Sequence, residues 1–493
     1  MTRRSFIKWE ATMENVLIVG AGPTGLTLAL WLTKQGIAVR IIDKSVGSGE
    51  TSRAMVVQAR TLELYRQLDL ADAVIAAGHK NPSMNMWAHG KHRARIALND
   101  AGADITPYPF VLVYPQDQHE RLLEDRLRSL GVTVDRQTEF ISFEDKGDFV
   151  STRLRLPDGS EQLCDTRYLA GCDGARSPIR HQLGTGFEGG TYKQVFYVAD
   201  VEVAGLEPAG DAHIALDKED FVLLMSYDTG NLYRLIGTVV DERADRAETL
   251  TFDDVRHDAI LSLGIQIDKV NWFSTYRVHH RIASDFRIKR TFLIGDAAHV
   301  HSPAGGQGMN TGINDAINLA WKLAAVLNAK APDSLLDTYA TERQAFARKL
   351  VDTTDRLFTF ATAEGSFADF VKTRIAPTFI SLAYKIDSVR EFMFRLISQT
   401  AISYHDSLLS EGEAASTKGG DRLPWVRSES SDNYESLSKI EWQIHVYGTV
   451  KRDLALWCEQ RGISLHVFSW TDAHGKAGLA QDAIYLLRPD TYV

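Results

Sequence analysis

Along the first fifty residues, the spacing of the hydrophobic positions changes twice. A continuous apolar run, NVLIV at residues 15–19, is followed by a glycine-rich turn, and apolar residues then recur at helical spacing over Thr24–Gln35. A second apolar run covers Ala38–Ile42. This order predicts a buried parallel strand, a turn, a helix and a second strand, which together form a βαβ unit.

The rest of the chain divides into segments with different periods. From about residue 190 to 280 the period is mostly two, which predicts an antiparallel sheet between α/β segments. A mostly helical pattern covers about 334–409, and a mixed strand and helix pattern covers 411–493. The sequence therefore predicts an α/β protein that contains a second, all-β layer.

Composition narrows the possible function classes. The chain has 493 residues, of which 44% are apolar and 24% charged, and its net charge is −9 with acids and bases interspersed. A chain of this length exceeds one ordinary core and predicts several domains. The lack of a basic stripe argues against a nucleic-acid partner. No uninterrupted apolar run is long enough to predict a membrane-spanning helix.

The cysteines and histidines give little support for a disulfide framework or a metal site. Cys164, Cys172 and Cys458 form no C-x-x-C pair, which favours a reducing, cytoplasmic location. His299 and His301 form an H-x-H pair, but we expect their side chains to point to opposite faces of an extended chain. Because no acid or cysteine completes a site, no metal is predicted.

The glycine-rich turn fits the pattern G-x-G-x-x-G. Its glycines permit a tight turn, a close approach of backbone amides to a pyrophosphate, and close packing of the helix on the strand. A carboxylate at the end of the next strand is placed to accept hydrogen bonds from a ribose. The motif predicts a dinucleotide site without identifying the dinucleotide. Its predicted residues are Gly20, Gly22, Pro23, Thr24, Gly25, Asp43 and Lys44.

Two further segments make the prediction specific. They are YLAGCDGARSPIR at residues 168–180 and GDAAHVHSPAGGQGMNTGINDAINLAWKL at residues 295–323. With the first glycine turn, they resemble the three fingerprints of the single-component FAD-dependent aromatic hydroxylases. This group A flavoprotein monooxygenase family includes para-hydroxybenzoate, phenol and aromatic polyketide hydroxylases. The resemblance extends over most of residues 14–350.

The resemblance implies a fold with three parts. They are a Rossmann-like FAD-binding domain, an inserted antiparallel β-sheet substrate domain, and a C-terminal thioredoxin-like domain. The implied boundaries are 13–78, 110–188 and 282–350 for the first, 79–109, 189–281 and 351–410 for the second, and 411–493 for the third.

The third fingerprint gathers many glycines at the start of a helix and carries no nucleophile. The resemblance implies that Asp296 binds the ribityl hydroxyls of FAD. It also implies that backbone N–H groups of Gly308, Met309 and Asn310 reach the flavin ring, with the positive helix end nearby. Such a loop needs no reactive side chain, because the cofactor carries the chemistry.

Other positions match the family one by one. Gln116 matches a flavin-contacting glutamine, and Arg53 matches an arginine near the flavin and phosphates. Asp173 and Gly174 match a pair implicated in FAD and nicotinamide contacts, and Pro303 falls where the loop backbone meets substrate. The alternatives are structural: a surface ion pair for Arg53, a turn residue for Asp173 and an exposed helix residue for Gln116.

The substrate pocket is less well defined by sequence. In this family a β-sheet covers the substrate, and Met225, Tyr227 and Tyr233 lie on strands that could line it. An ordinary core role for these three residues is equally consistent with the pattern. No catalytic side chain that accepts a substrate proton is identified.

The segment 411–493 resembles the C-terminal thioredoxin-like domain of the phenol and polyketide hydroxylases. Thr491 stands in RPDT where those proteins usually have RPDG. Lone Cys458 excludes dithiol exchange, so a structural or interfacial role is expected for this domain.

The resemblance implies an oxidoreductase that uses FAD, NADPH or NADH, and O2. It would hydroxylate a small phenolic or polycyclic aromatic substrate through a flavin C4a-hydroperoxide. One alternative is epoxidation, or hydroxylation of a non-phenolic or heterocyclic compound. Another is a flavin redox module that produces peroxide without hydroxylation. The sequence leaves open whether the chain is a monomer or a homodimer.

Overall fold

The computed structural model describes residues 14–49, 54–88, 90–206, 210–216, 221–227, 230–239, 249–255, 258–301, 306–362, 386–428 and 431–493. Within them the helices are α1 Pro23–Lys34, α2 Ala59–Arg66, α3 Ala71–Ala77, α4 Leu98–Gly102, α5 Gln116–Ser129, α6 Pro178–Leu183, α7 Asp258–Ser262, α8 Gly308–Leu327, α9 Asp337–Thr362, α10 Asp387–Ile397, α11 Arg452–Arg461 and α12 Asp472–Lys476. The strands are β1 Glu14–Val19, β2 Val39–Ile42, β3 Val56–Val57, β4 His79–Asn81, β5 Ser83–Ala88, β6 Lys91–Ala97, β7 Val111–Val113, β8 Val134–Asp135, β9 Glu139–Asp145, β10 Val150–Arg155, β11 Glu161–Gly171, β12 Phe187–Ala204, β13 Ala212–Leu216, β14 Phe221–Ser226, β15 Leu232–Val239, β16 Gln266–Ala283, β17 Arg287–Ile288, β18 Thr291–Leu293, β19 His299–Val300, β20 Glu413–Ala414, β21 Thr417–Lys418, β22 Gln443–Tyr447, β23 Ser464–Phe468 and β24 Ile484–Leu487.

The first sheet contains the predicted βαβ unit. Its strand order is β17-β18-β11-β1-β2-β8, and β1 pairs in parallel with both β2 and β11. Strands β9 and β10 extend it as an antiparallel hairpin against the first half of β11. β1 and α1 are almost entirely apolar where they face each other, as a parallel strand covered on both faces requires. The fold is therefore mixed α/β.

The second sheet has the order β19-β16-β12-β15-β14-β13-β5-β6. Two strands of 18 residues, β12 and β16, lie next to each other near one edge of the sheet and pair antiparallel over most of their length. The strand pairs formed within residues 190–280 are antiparallel, as predicted, whereas β5, from outside that stretch, pairs in parallel with β13. A short hairpin would force two strands to run antiparallel, but β5 and β13 are far apart in the chain and no hairpin joins them.

Helix α8 packs against α1 beneath the first sheet. Both helices are buried along almost their whole length, and Trp31 and Trp321 are essentially inaccessible to solvent. Glycine permits a very close approach, since a Cβ at Gly312 of α8 would overlap the Thr24 hydroxyl of α1. Although α8 has 20 residues, no helix in the described residues is both long and apolar enough to cross a membrane.

The C-terminal part of the chain has a smaller sheet of its own. Its order is β23-β22-β24, with β22 and β23 parallel and β24 antiparallel to β22. Separate apolar clusters lie on its two faces. In the predicted helical stretch before it, α9 and α10 form, and residues 363–385 lie outside the described part of the chain.

Two buried histidines make stability depend on pH. Burial lowers the pKa of His119 to about 3, and burial with the nearby His466 lowers the pKa of His445 to about 3. Both imidazoles are therefore neutral in the folded protein at pH 7. The unfolded chain takes up these protons at about pH 6.5, so folding stability is lost as the pH falls below that value.

We expect the free energy of unfolding to fall by up to about 2.7 kcal/mol per pH unit from these two groups below about pH 6. The variant His119→Gln should halve that contribution, measured as the pH dependence of the melting temperature between pH 7 and 5. His181→Gln is the control, because His181 is exposed. Equal pH dependence in the wild type and His119→Gln would contradict the assignment.

Candidate active site

The turn between β1 and α1 leaves the N-terminus of α1 open. No side chain caps this helix, and its first turn has no acidic residue. Gly20 has a φ of +104°, and a Cβ there would overlap the Cys172 carbonyl oxygen, so the position requires glycine. The uncapped N–H groups and the positive helix end suit this turn to a phosphate group.

Asp43 follows β2, where the sequence predicts a carboxylate. Its Oδ2 accepts a hydrogen bond from the Ala21 N–H at 2.7 Å, and its Oδ1 accepts one from the Ser45 N–H at 2.8 Å. The carboxylate therefore braces the glycine turn, and its remaining lone pairs are available to a hydroxyl group. Lys44, beside it, is exposed.

Asp173 and Gly174 lie just beyond the end of β11. Asp173 Oδ2 accepts a hydrogen bond from the Ile179 N–H at 3.2 Å, which ties this turn to the start of α6. Its Oδ1 is buried and has no partner within the described residues, and burial raises the pKa of the carboxyl. Gly174 has a φ of +80° and lines the cavity described below.

Asp296 sits in a short 3-10 turn, Gly295–Ala297, after β18. The Asp296 carboxylate is accessible from the cavity. Desolvation by the surrounding protein raises the pKa of this carboxyl, and the nearby His299 partly offsets the rise. Helix α8 then begins at Gly308, with no side-chain cap and no acid in its first turn. The open N-terminus of α8 and the Asp296 carboxylate, which can accept hydrogen bonds from hydroxyl groups, thus face the same cavity.

The side chain of Asn310 holds the start of α8 in place. Its amide donates to the carbonyl oxygens of Val56 at 2.8 Å and Gly306 at 3.0 Å. Its Oδ1 accepts from the Gln58 N–H and the Thr61 hydroxyl, both at 2.9 Å. The buried side chain is fully used within the protein, so only the backbone of Asn310 could face a ligand.

One cavity of about 500 Å³ joins these turns to the second sheet. Its cofactor side, as we name it, consists of residues from the fingerprints and α5: Gly22, Pro23, Thr24, Gln116, Gly174, Asp296, Gln307, Gly308 and Met309. Its sheet side is apolar and includes Met84, Leu98, Val111, Ala212, Leu223, Met225, Ile236 and Val278. The first and third fingerprints, far apart in sequence, therefore line the same space.

Several predicted residues lie elsewhere or outside the described part. Arg53 and Pro303 are outside the described residues. Gln116 lines the cavity at the start of α5, and its amide donates to Glu120 Oε1 at 2.8 Å. Gly20, Gly25 and Asp43 support the glycine turn from behind the cavity wall.

Of the three substrate-pocket candidates, only Met225 lines the cavity. Tyr233 is buried in the core of the second sheet. The Tyr227 hydroxyl donates to Asp200 Oδ1 at 2.6 Å, and Arg234 Nε donates to the same oxygen at 2.8 Å. Burial raises the pKa of Tyr227 far above its usual range, so this tyrosine stays protonated.

His299 and His301 share a side of the chain, contrary to the prediction that they diverge. Their rings are nearly parallel with centroids 6.5 Å apart, because residues two apart on a strand face the same way. His299 Nε2 lies 2.7 Å from Asp315 Oδ2 in a buried pair, whereas His301 lines the cavity. Among the described residues, no group of three or more His, Cys, Asp or Glu side chains could hold a metal ion.

The cavity also contains residues that sequence reasoning missed. The alternating pattern predicted strand β16 but did not indicate which face meets the cavity. Helix α10 contributes its last residue, 74 positions beyond the end of the third fingerprint. The additional residues are Gln58, Tyr276, Arg277, His279, His301 and Ile397.

The cofactor side fits FAD. Two uncapped helix N-termini suit the negative pyrophosphate and the electron-rich edge of a flavin, and Asp296 presents an acceptor to hydroxyl groups between them. A Cβ at Gly22 or Gly308 would meet nothing closer than 3.9 Å, so the backbone at both turns is open to a ligand.

Comparison with known proteins agrees with this assignment. The model of a family described as FAD binding domain matches residues 13–354. The 6-methylpretetramide 4-monooxygenase of Streptomyces rimosus is 36% identical over 83% of this chain and 73% of its own length. The pentachlorophenol 4-monooxygenase of Sphingobium chlorophenolicum is 30% identical over 83% and 75%. The solved structure of the anhydrotetracycline hydroxylase OxyS from Streptomyces rimosus superposes with a TM-score of 0.76 at 26% identity, covering 97% of this chain and 94% of that one.

We expect Asp296→Ala to weaken FAD binding about tenfold or more, because a charge-assisted hydrogen-bond acceptor is lost. Asp296→Asn should give an intermediate loss. FAD content after purification and the dissociation constant from flavin fluorescence titration measure the effect. Asp165→Ala, on the exposed face of β11, is the control. An Asp296→Ala protein that retains FAD like the wild type would refute this role.

Proposed function

This chain belongs to the FAD binding domain family and is an FAD-dependent aromatic monooxygenase, and we propose that it hydroxylates an uncharged, polycyclic phenol. The observation that carries the proposal is the single cavity of about 500 Å³ with a cofactor side and an apolar sheet side. The flavin would occupy the cofactor side, and the substrate would lie against the sheet side of the same space.

The sheet side favours an apolar aromatic ligand. Its walls carry methionine and branched aliphatic side chains, and Met84 and Met225 can adapt to flat rings of different outline. Arg277 is the only Lys or Arg among the described lining residues. Burying a substrate carboxylate against the apolar walls would be costly, which supports an uncharged ring. Two of the relatives are named for polycyclic substrates, a pretetramide and an anhydrotetracycline.

The protein contributes positioning and electrostatics. FAD bound there would supply the redox and oxygen-transfer chemistry, with NADPH or NADH as the electron donor, O2 as the oxygen source and water as the second product. The open N-terminus of α8 favours negative charge on the reduced cofactor. The apolar walls orient the ring and exclude bulk water from the reacting atoms.

The same proposal divides the chain into the three domains expected from sequence. The second sheet, β12 to β16 with β5 and β6, supports an inserted substrate domain, because its strands lie in sequence between strands of the first sheet. The β22-β23-β24 sheet with α11 supports a thioredoxin-like domain in residues 411–493. Cys458 is buried and unpaired there, which fits a domain without dithiol chemistry.

The proposal is tested by turnover of the purified, FAD-loaded protein with polycyclic phenols and with matched phenols that carry a carboxylate. We expect the uncharged phenols to stimulate NADPH or NADH oxidation and to gain one oxygen atom per O2 consumed, as seen by mass spectrometry. Stoichiometric peroxide without product for every phenol would favour the redox-module alternative. If only non-phenolic rings gave products, epoxidation or hydroxylation of a non-phenolic or heterocyclic compound would be favoured instead.

Met225→Trp should raise KM about tenfold with unchanged FAD content, because the indole would occupy the sheet side of the cavity. Leu261→Trp is the control, since Leu261 is 66% exposed. An unchanged KM in Met225→Trp would place the substrate elsewhere.

A further inference from the structure

The chain ends in a tight turn that is buried against the FAD-binding part. In this C-terminal turn, Arg488–Tyr492, the Arg488 N–H donates to the Tyr492 carbonyl at 2.8 Å and the Thr491 N–H donates to the Arg488 carbonyl at 2.9 Å. The side chains of Arg488, Asp490 and Tyr492 are all 1–2% exposed. Specific contacts hold these buried residues in place.

Arg488 joins the C-terminal turn to α8 and α9. Its guanidinium donates to both carboxylate oxygens of Glu342 on α9, at 2.9 and 3.0 Å, and also to Asp490. Glu342 Oε2 also accepts from Lys322 Nζ of α8 at 2.8 Å. Burial alone would raise the pKa of Glu342, but Lys322 and Arg488 hold it well below its usual range. The carboxylate is therefore charged and fully paired.

The backbone of the same turn contacts α2. The Asp490 carbonyl accepts from Arg60 Nη2 at 2.8 Å, and the Pro489 carbonyl accepts from the Gln67 amide at 2.9 Å. Next to Arg60, the Thr61 hydroxyl donates to Asn310 at the start of α8. The turn thus contacts α2 and α9, and Glu342 and Thr61 connect it onward to α8.

From α9 a second buried contact leads to the Asp296 turn. Arg343, next to Glu342, donates to Asp315 Oδ1 of α8 at 2.6 Å. Asp315 Oδ2 accepts from the Gly295 N–H at 3.1 Å, in the turn that carries Asp296. Arg343 also donates to the Tyr404 hydroxyl at 2.8 Å, and the Tyr404 ring lies 4.5 Å from that of Tyr492.

From these contacts we propose that the C-terminal turn completes the FAD site from behind, with Arg488 as its positioning residue. Arg488 fixes α9 against α8, and α9 in turn fixes Asp315, the Asp296 turn and the open start of α8. The C-terminal part of the chain therefore supports cofactor retention although it contributes no residue to the cavity wall. This inference depends on FAD binding and not on the substrate.

Thr491 shows how firmly the turn is held. Its φ is +69°, a left-handed conformation that is strained for a β-branched residue. Its buried hydroxyl has no partner within the described residues. The backbone N–H and carbonyl of Thr491 are both hydrogen-bonded, to Arg488 and to Leu423, and these contacts maintain the conformation.

The test compares FAD affinity in full-length variants. Arg488→Met should weaken FAD binding about tenfold or more, because Glu342 is left buried with one partner fewer. Arg488→Lys, which keeps the charge but not the two-pronged contact, should fold and show a smaller loss. Fluorescence titration gives the dissociation constant, and the flavin absorption spectrum reports whether the bound ring has changed environment.

The matched control is Asp432→Asn. Asp432 accepts from Arg66 of α2 at 2.9 Å, so this contact also joins α2 to the C-terminal part, but it does not reach α8 or α9. The FAD affinity of Asp432→Asn should stay within about twofold of the wild type.

Two results would overturn the proposal. One is equal weakening of FAD binding in Asp432→Asn and Arg488→Lys, and the other is wild-type affinity in both Arg488 variants. If Arg488→Met does not fold, Arg488→Lys decides. None of these measurements needs substrate, so they stand apart from the hydroxylase test.

Discussion

The close approach of three backbone segments is the constraint on which the whole site depends. Thr24 at the start of α1, Gly295 before the Asp296 turn and Gly312 in α8 lie in direct contact, and a Cβ at either glycine would overlap the threonine side chain. Because these segments touch, the open ends of α1 and α8 face one cavity. A larger residue at Gly312 would move α8, and with it the flavin end of the site.

Buried charge pairs hold that arrangement. Burial alone would raise the pKa of Asp315, but Arg343 and His299 outweigh it, and the pKa is lowered. Buried ions are tolerated only when every partner is in place, so such a network specifies one relative position of its helices. Apolar packing joins α1 to α8, and the charged network fixes α9 against α8.

The cavity explains how one fold combines a polar cofactor with an apolar substrate. The fingerprint turns supply N–H groups, helix ends and Asp296 on one side, and the second sheet supplies aliphatic walls on the other. Met225 reaches the cavity, whereas Tyr227 and Tyr233 are held in the sheet by Asp200 and by the core. The alternating pattern identifies strands, but it does not indicate which face of a strand meets a cavity that exists only after two sheets pack.

Local periodicity and glycine placement determined the βαβ unit, the dinucleotide turn and the position of Asp43, because these features depend on residues close in sequence. The fingerprints likewise predicted a flavin loop at the start of α8 and a role for Asp296 in binding the ribityl hydroxyls. Tertiary structure alone decided that β5 and β13 run parallel, that the Asn310 side chain is structural, and that Arg488 meets Glu342. Those contacts join residues far apart in the chain, and their geometry is set by the packing of helices and sheets rather than by any local pattern.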